Sequence, residues 1–102
     1  MQNNYQPKPI NTKDVILPEE FLGVIEKIAK NTHEIWAEAR MKEGWSYGKT
    51  RDDFKKETPC LVPYEMLSES DKEYDRKTTI EVLKLVLKLG FKVQQVKSSP
   101  FM

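Results

Sequence analysis

The sequence predicts a mainly α fold: two antiparallel helices with a long ordered loop between them and short β-strands. Apolar residues recur at helical spacing from Phe21 to Ala39 and again from Tyr74 to Leu89. Between the two runs, residues 44–67 are broken up by Gly44, Gly48, Pro59 and Pro63, as a loop would be. With 102 residues the chain has room for one domain. A tail is expected over residues 1–6, a domain over 7–94 and a frayed tail over 95–102.

The elements follow in order. Residues 1–17 read as extended, because Pro7 and Pro9 bias their neighbours away from helix. Asp14-Val15-Ile16-Leu17 is long enough only for a strand or a docking segment. A first helix is expected from Pro18, a residue suited to a first helical position, with Glu19 and Glu20 complementing the helix dipole. Phe21, Ile25, Ile28, Thr32, Ile35 and Ala39 fall within an arc of about 80°, a stripe that would face a core. Trp36 lies about 60° from the centre of that stripe, beside Leu22 and Ala29, with His33 and Arg40 further round. Gly44 stops the helix.

The loop carries Trp45, Tyr47, Phe54 and Tyr64, apolar surface enough to pack it down, and Cys60-Leu61-Val62 suggests a short strand within it. A second helix starts near Ser68 or Ser70. Ser70 with Glu73 fits a capping box, and Ser68 with Asp71 nearly so. The helix runs to about Leu89 and ends at Gly90, with apolar residues over roughly 240° of its circumference. One partner helix cannot cover that arc, so the loop, the N-terminal arm or another subunit must. Phe91-Lys92-Val93 suggests a closing strand.

Composition narrows the function. The net charge is +1, from 17 basic and 16 acidic residues, unlike the basic footprint of a nucleic-acid binder. A single cysteine, Cys60, leaves no internal disulfide and fits a reducing compartment. No basic region followed by an apolar run opens the sequence, and the apolar stretch from Ile80 to Phe91 is interrupted by Lys84 and Lys88. A cytoplasmic protein with no membrane segment is expected. At this length burial is marginal, and a partner chain would add stability.

Few residues are candidates for chemistry. His33-Glu34 has the first half of a zinc-binding His-Glu-x-x-His helix, but position 37 is Ala37 and there is no second histidine, so no metal is expected. A Cys60–His33 nucleophile pair lacks evident activation, and Cys60 beside Leu61-Val62 reads as buried and inert. The adjacent carboxylates Asp52-Asp53 and Glu19-Glu20 read as solvated or capping, and no glycine-rich phosphate loop is present. Asp75 and Arg76 fall on the apolar side of the second helix, where loop-to-helix ion pairing is expected to hold them. The aromatics are more informative. Trp45 is expected to fold inward. Trp36, on the shoulder of its helix beside His33, Arg40 and Arg51, would make a stacking platform for a flat ring with cations for phosphates.

A set of short motifs adds a resemblance. Pro9-Ile10, Leu17-Pro18, Glu26-Lys27-Ile28-Ala29-Lys30-Asn31, His33-Glu34-Ile35-Trp36, Gly44-Trp45-Ser46-Tyr47-Gly48 and Arg51-Asp52-Asp53 occur in order. Pro59-Cys60-Leu61-Val62-Pro63-Tyr64, Leu67-Ser68-Glu69, Tyr74-Asp75-Arg76 and Leu87-Lys88-Leu89-Gly90 follow. Together they resemble the ryanodine receptor repeat, the RyR domain, over residues 7 to 94. Each motif alone is weak; the set is specific.

A non-enzymatic RyR-type module needing no cofactor is expected, because one histidine and one cysteine assemble no nucleophile–base pair. In calcium-release channels such repeats come as tandem, roughly two-fold related pairs in the cytosolic region, so a single copy is expected to homodimerise. The resemblance further implies an adenine-nucleotide-like ligand between paired tryptophans, with Trp36 the matching residue and its twin supplied by a second chain. On that expectation Arg40 and Arg51 contact phosphates, and Asn31 or His33 reads polar edges. The alternative is a protein-interaction or scaffold module with no small-molecule ligand.

Overall fold

The computed structural model describes residues 4–96. Of the two expected tails, residues 1–3 and 97–102 lie outside the described residues, and 4–6 and 95–96 carry no regular structure. The fold is mainly helical. Helix α1 spans Ile25–Lys42 and helix α2 spans Glu69–Lys88. Short 3-10 turns at Glu19–Gly23 and Tyr64–Met66 precede them. Strands β1 (Ser46–Tyr47) and β2 (Glu57–Thr58) pair in parallel within the connecting loop.

The first helix starts later than Pro18. Pro18 caps the 3-10 turn, and the chain leaves helical geometry at Val24, where φ is −119°. Gly23 and β-branched Val24 are poor helix formers side by side, and glycine alone costs about 1 kcal/mol against alanine in a helix interior. Gly44, at φ +94°, ends α1 in the left-handed conformation that glycine adopts without strain.

The packed face of α1 is not its most apolar one. Ile25, Ala29 and His33 are its buried residues, one helical turn apart, and Trp36, Ala37 and Arg40 are half-buried. The expected stripe of Ile28, Thr32, Ile35 and Ala39 is exposed, with Ile35 at 61%. Two contacts explain the rotation. Ala29 is small enough to admit Tyr64 and Leu67 against the helix, and these three form the core cluster, with Cys60 and Val62 packed on it. His33 meets the backbone: its Nε2 lies 2.7 Å from the Val62 carbonyl oxygen. A carbonyl only accepts, so Nε2 carries the proton. Pairing this partly buried carbonyl, together with the packing on Ala29, sets the face that α1 presents.

Helix α2 is capped by Ser68, whose Oγ accepts from the Asp71 backbone N–H at 3.2 Å. Of the two expected starts, Ser68 is therefore the one that caps. Of the residues of α2 only Thr79 is buried, while Tyr74, Val82 and the capping Leu89 are exposed. The N-terminal arm lies along part of its apolar arc. The Thr12 hydroxyl donates to Glu81 Oε1 at 2.8 Å, and Lys88 Nζ pairs with Asp14 at 3.0 Å. The arm is thus held at Thr12 and Asp14, and Asp14–Leu17 forms no strand, with Ile16 in solvent.

Arg76 joins the two helices. Its guanidinium donates to both carboxylate oxygens of Glu26 on α1, at 2.6 and 3.2 Å, and also to Glu69 and Glu73. The Tyr64 hydroxyl donates to Glu26 Oε2 at 3.0 Å, which ties the second 3-10 turn to the same knot. The Arg76 bonds hold the Glu26 carboxyl below its ordinary value, with a smaller contribution from Tyr64. The ion pairing expected of Arg76 is therefore found, but between helices.

The loop is ordered by its backbone. Ser46 N–H donates to Lys56 O at 2.9 Å and Gly48 N–H to Thr58 O at 3.2 Å. Asp52 and Glu57 exchange two bonds of 2.9 Å, and Asp52 Oδ1 accepts from the N–H groups of Phe54 and Lys55 at 3.0 Å. The strand expected at Cys60–Val62 lies instead at Glu57–Thr58, because the Cys60 and Leu61 N–H groups turn back onto Thr58, to its hydroxyl at 3.2 Å and its carbonyl at 3.5 Å. No strand forms at Phe91–Val93 either; Gly90 leads into extended chain. Tyr47 and Phe54 do not pack the loop down. Phe54 is 97% exposed at the tip of the Asp52 turn, and the loop is closed by hydrogen bonds in place of aromatic burial.

A candidate aromatic cleft beside Trp36

A cleft of about 360 Å³ opens between α1, the loop and the first turns of α2. Thr32, His33 and Trp36 form its α1 wall, Cys60 and Leu67 come from the loop, and Asp71, Tyr74, Asp75 and Thr78 come from α2. Trp36 is half-buried, and its ring stacks on buried His33 with centroids 5.6 Å apart and planes inclined by 27°. Tyr64 lies on the ring of His33 at 6.2 Å, in a tilted arrangement. The spacing i, i+3 places His33 and Trp36 on one side of the helix. The Val62 carbonyl then fixes the imidazole, and the imidazole fixes the indole. Trp36 is thus a braced ring with part of its surface left to the cleft.

The cleft's electrostatics differ from the expectation. Among the described residues neither lysine nor arginine lines it, whereas two carboxyls do. Burial pushes the Asp75 carboxyl up from its ordinary value; His33 pulls it partly back, and Asp71 adds to the rise. Cys60 Sγ lies 4.0 Å from Asp71 Oδ2. Among the described residues Asp75 has no ion pair, unlike its neighbour Arg76.

The five residues expected to form one site are divided. His33 and Trp36 meet in the cleft. Arg40 and Arg51 gather at Trp45, their guanidinium carbons 5.5 and 5.1 Å from its ring centroid. Each has its own carboxylate, Glu43 at 3.0 Å for Arg40 and Asp53 at 2.7 Å for Arg51. Asn31 is exposed and does not line the cleft. The expected cationic flank of Trp36 therefore belongs to the other tryptophan, because the turn after α1 brings Trp45 back over Arg40. The Trp45 backbone N–H donates to Arg40 O at 3.0 Å.

Sequence reasoning missed Thr32, Asp71, Tyr74, Asp75 and Thr78 as lining residues. One signal was visible: Asp75 falls on the apolar side of α2, where an acid needs a reason to be. The other residues depend on how the two helices meet, which periodicity does not specify.

Two helices, an ordered loop and an aromatic cleft define a small helical module in which no described helix is long and apolar enough to cross a membrane. The chain belongs to the RyR domain family, whose pattern matches residues 5–95 of its 102.

Proposed function

We propose that this RyR domain is a non-enzymatic binding module whose Trp36 cleft takes the flat ring of a small, nucleotide-like ligand, with a second copy of the chain closing over it. The observation that carries the reading is the braced, half-buried indole: Trp36 stacks on a buried histidine and lines an open cleft. Aromatic platforms of this kind add stacking energy of about 1–3 kcal/mol per base. A second copy is supported by apolar residues left open on the helices: Ile28 and Val82, which line one shallow groove, and Ile35 on α1. Arg40 and Arg51 are not carried forward as phosphate contacts, since both are engaged at Trp45.

The test is calorimetric titration with adenosine, AMP, ATP and ADP-ribose, with sedimentation at each end point. Binding that is lost in Trp36→Ala, together with a dimer at tens of micromolar, is the expected result. No heat with any ring compound, or binding unchanged in Trp36→Ala, would overturn it. The scaffold reading draws on the same exposed apolar residues: a dimer that forms without any ligand response would favour it.

A further inference from the structure

We infer that the Trp36 cleft selects its ligand by hydrogen-bond donors and against negative charge: it takes the amino-bearing edge of a heteroaromatic ring and leaves phosphate outside. The inference rests on the ring-binding reading above and specifies the chemistry of that site. Three features of the cleft carry it.

The first is the polar lining. Two side chains, Asp71 and Asp75, can only accept hydrogen bonds when ionised, and both come from the first two turns of α2. The second is that no lysine or arginine among the described residues lines the cleft to offset them. The nearby basic groups are engaged elsewhere: Arg76 with Glu26, Glu69 and Glu73, Arg40 and Arg51 with Trp45 and their own carboxylates, and Lys72 over the Tyr64 ring, 5.9 Å from its centroid. The third is the state of the imidazole. His33 spends its Nε2 proton on Val62 O, so that donor is not offered to an anion in the cleft.

Among the described lining residues a phosphate would meet two carboxylates and the neutral hydroxyls of Thr32, Tyr74 and Thr78, with no lysine or arginine. An exocyclic amine would meet two acceptors with the indole ring beside it. Hydrogen bonds from a donor to a charged acceptor are worth roughly tenfold or more in affinity, and a like charge in a partly buried cleft costs a comparable factor. The same geometry separates an aminopurine from its oxo analogue, because the oxo group would place a second acceptor against a carboxylate.

The experiment titrates the full-length protein with adenosine, inosine and ATP by calorimetry at pH 7.5. Adenosine is expected to bind at least about tenfold tighter than either inosine or ATP. Raising salt from about 50 to about 500 mM is expected to tighten ATP relative to adenosine, as screening relieves repulsion. In Asp71→Asn and Asp75→Asn the adenosine-to-ATP ratio should shrink by about threefold or more. The wild-type salt series needs no variant, so a substitution that misfolds does not remove the test. ATP binding as tightly as adenosine, or weakening relative to it with salt, overturns the donor selectivity while leaving the ring-binding site intact. Failure of all three compounds to bind removes the site itself, and this inference with it.

Discussion

The two tryptophans stand nine positions apart and do opposite things. Trp36 is braced from behind by His33 and leaves ring surface to a cleft with acidic walls. Trp45 is covered by two guanidinium groups, each with its own carboxylate, and holds the loop against the end of α1. The contrast shows that a tryptophan's role is set by what its neighbours leave over. The cations beside Trp45 occupy it; the carboxyls beside Trp36 do not stack, and leave it free for something that does.

The largest effect expected is on stability. Trp45→Ala should lower unfolding free energy by about 2–3 kcal/mol, from lost packing and cation–π contact, while shifting adenosine affinity by less than about threefold. Trp36→Ala should do the reverse: about 1 kcal/mol of stability and at least tenfold in affinity. Urea unfolding and calorimetry on both variants measure this exchange, and equal effects on both readouts would erase the distinction. Next comes Gly48→Ala. A Cβ there would sit 2.6 Å from Glu57 Cβ across the strand pair, so about 1–3 kcal/mol is expected, confined to the loop. Hydrogen exchange should show protection lost around Ser46 and Thr58 and kept in α1.

Smaller changes sharpen the picture near the cleft. Tyr64→Phe removes the hydroxyl bonded to Glu26 and should cost about 1 kcal/mol, read from the urea midpoint. Acid should act through Glu26 and Glu69 with one sign and through Asp75 with the other. Arg76 holds Glu26 and Glu69 below their ordinary 4.5, so the stability they give is complete above 4.5 and is lost as pH falls below it. Asp75 is raised above its ordinary 3.8 by burial, so its protonation favours the native state and offsets part of that loss. Stability curves against pH should therefore fall less steeply in Glu26→Gln and more steeply in Asp75→Asn than in the wild type. Phe54→Ser marks the lower bound, with a change under about 0.5 kcal/mol, because the side chain touches almost nothing.

These outcomes also separate what the sequence disclosed from what it withheld. Helical spacing with Gly44 and Gly90 located α2 and the end of α1 closely, since those signals are local, while α1 begins at Ile25 and not at Pro18. Periodicity mistook the face of α1. It weighs apolar side chains alone, and the buried face is decided by Ala29, chosen for smallness, and His33, chosen for a carbonyl 29 residues away. The site was legible at Trp36 and His33, which share a helix. Arg51 was misassigned because the loop's path, set by parallel pairing of Ser46–Tyr47 with Glu57–Thr58, leaves no pattern in composition. Asp71 and Asp75 became visible only when α2 was laid beside α1.

The Asp52 turn has a further consequence, for proteolysis. Phe54 offers a chymotrypsin-like protease the side chain it prefers, almost wholly in solvent. The backbone around it does not offer the extended segment a protease groove requires. Its N–H groups are held by Asp52 Oδ1, Lys56 sits at φ +58°, and the turn is latched by the Asp52–Glu57 pair. Cleavage after Phe54 must wait for that latch to open, so its rate reports the local opening equilibrium of the loop. Asp52→Ala should turn a protected bond into the first one cut, with both helices still folded.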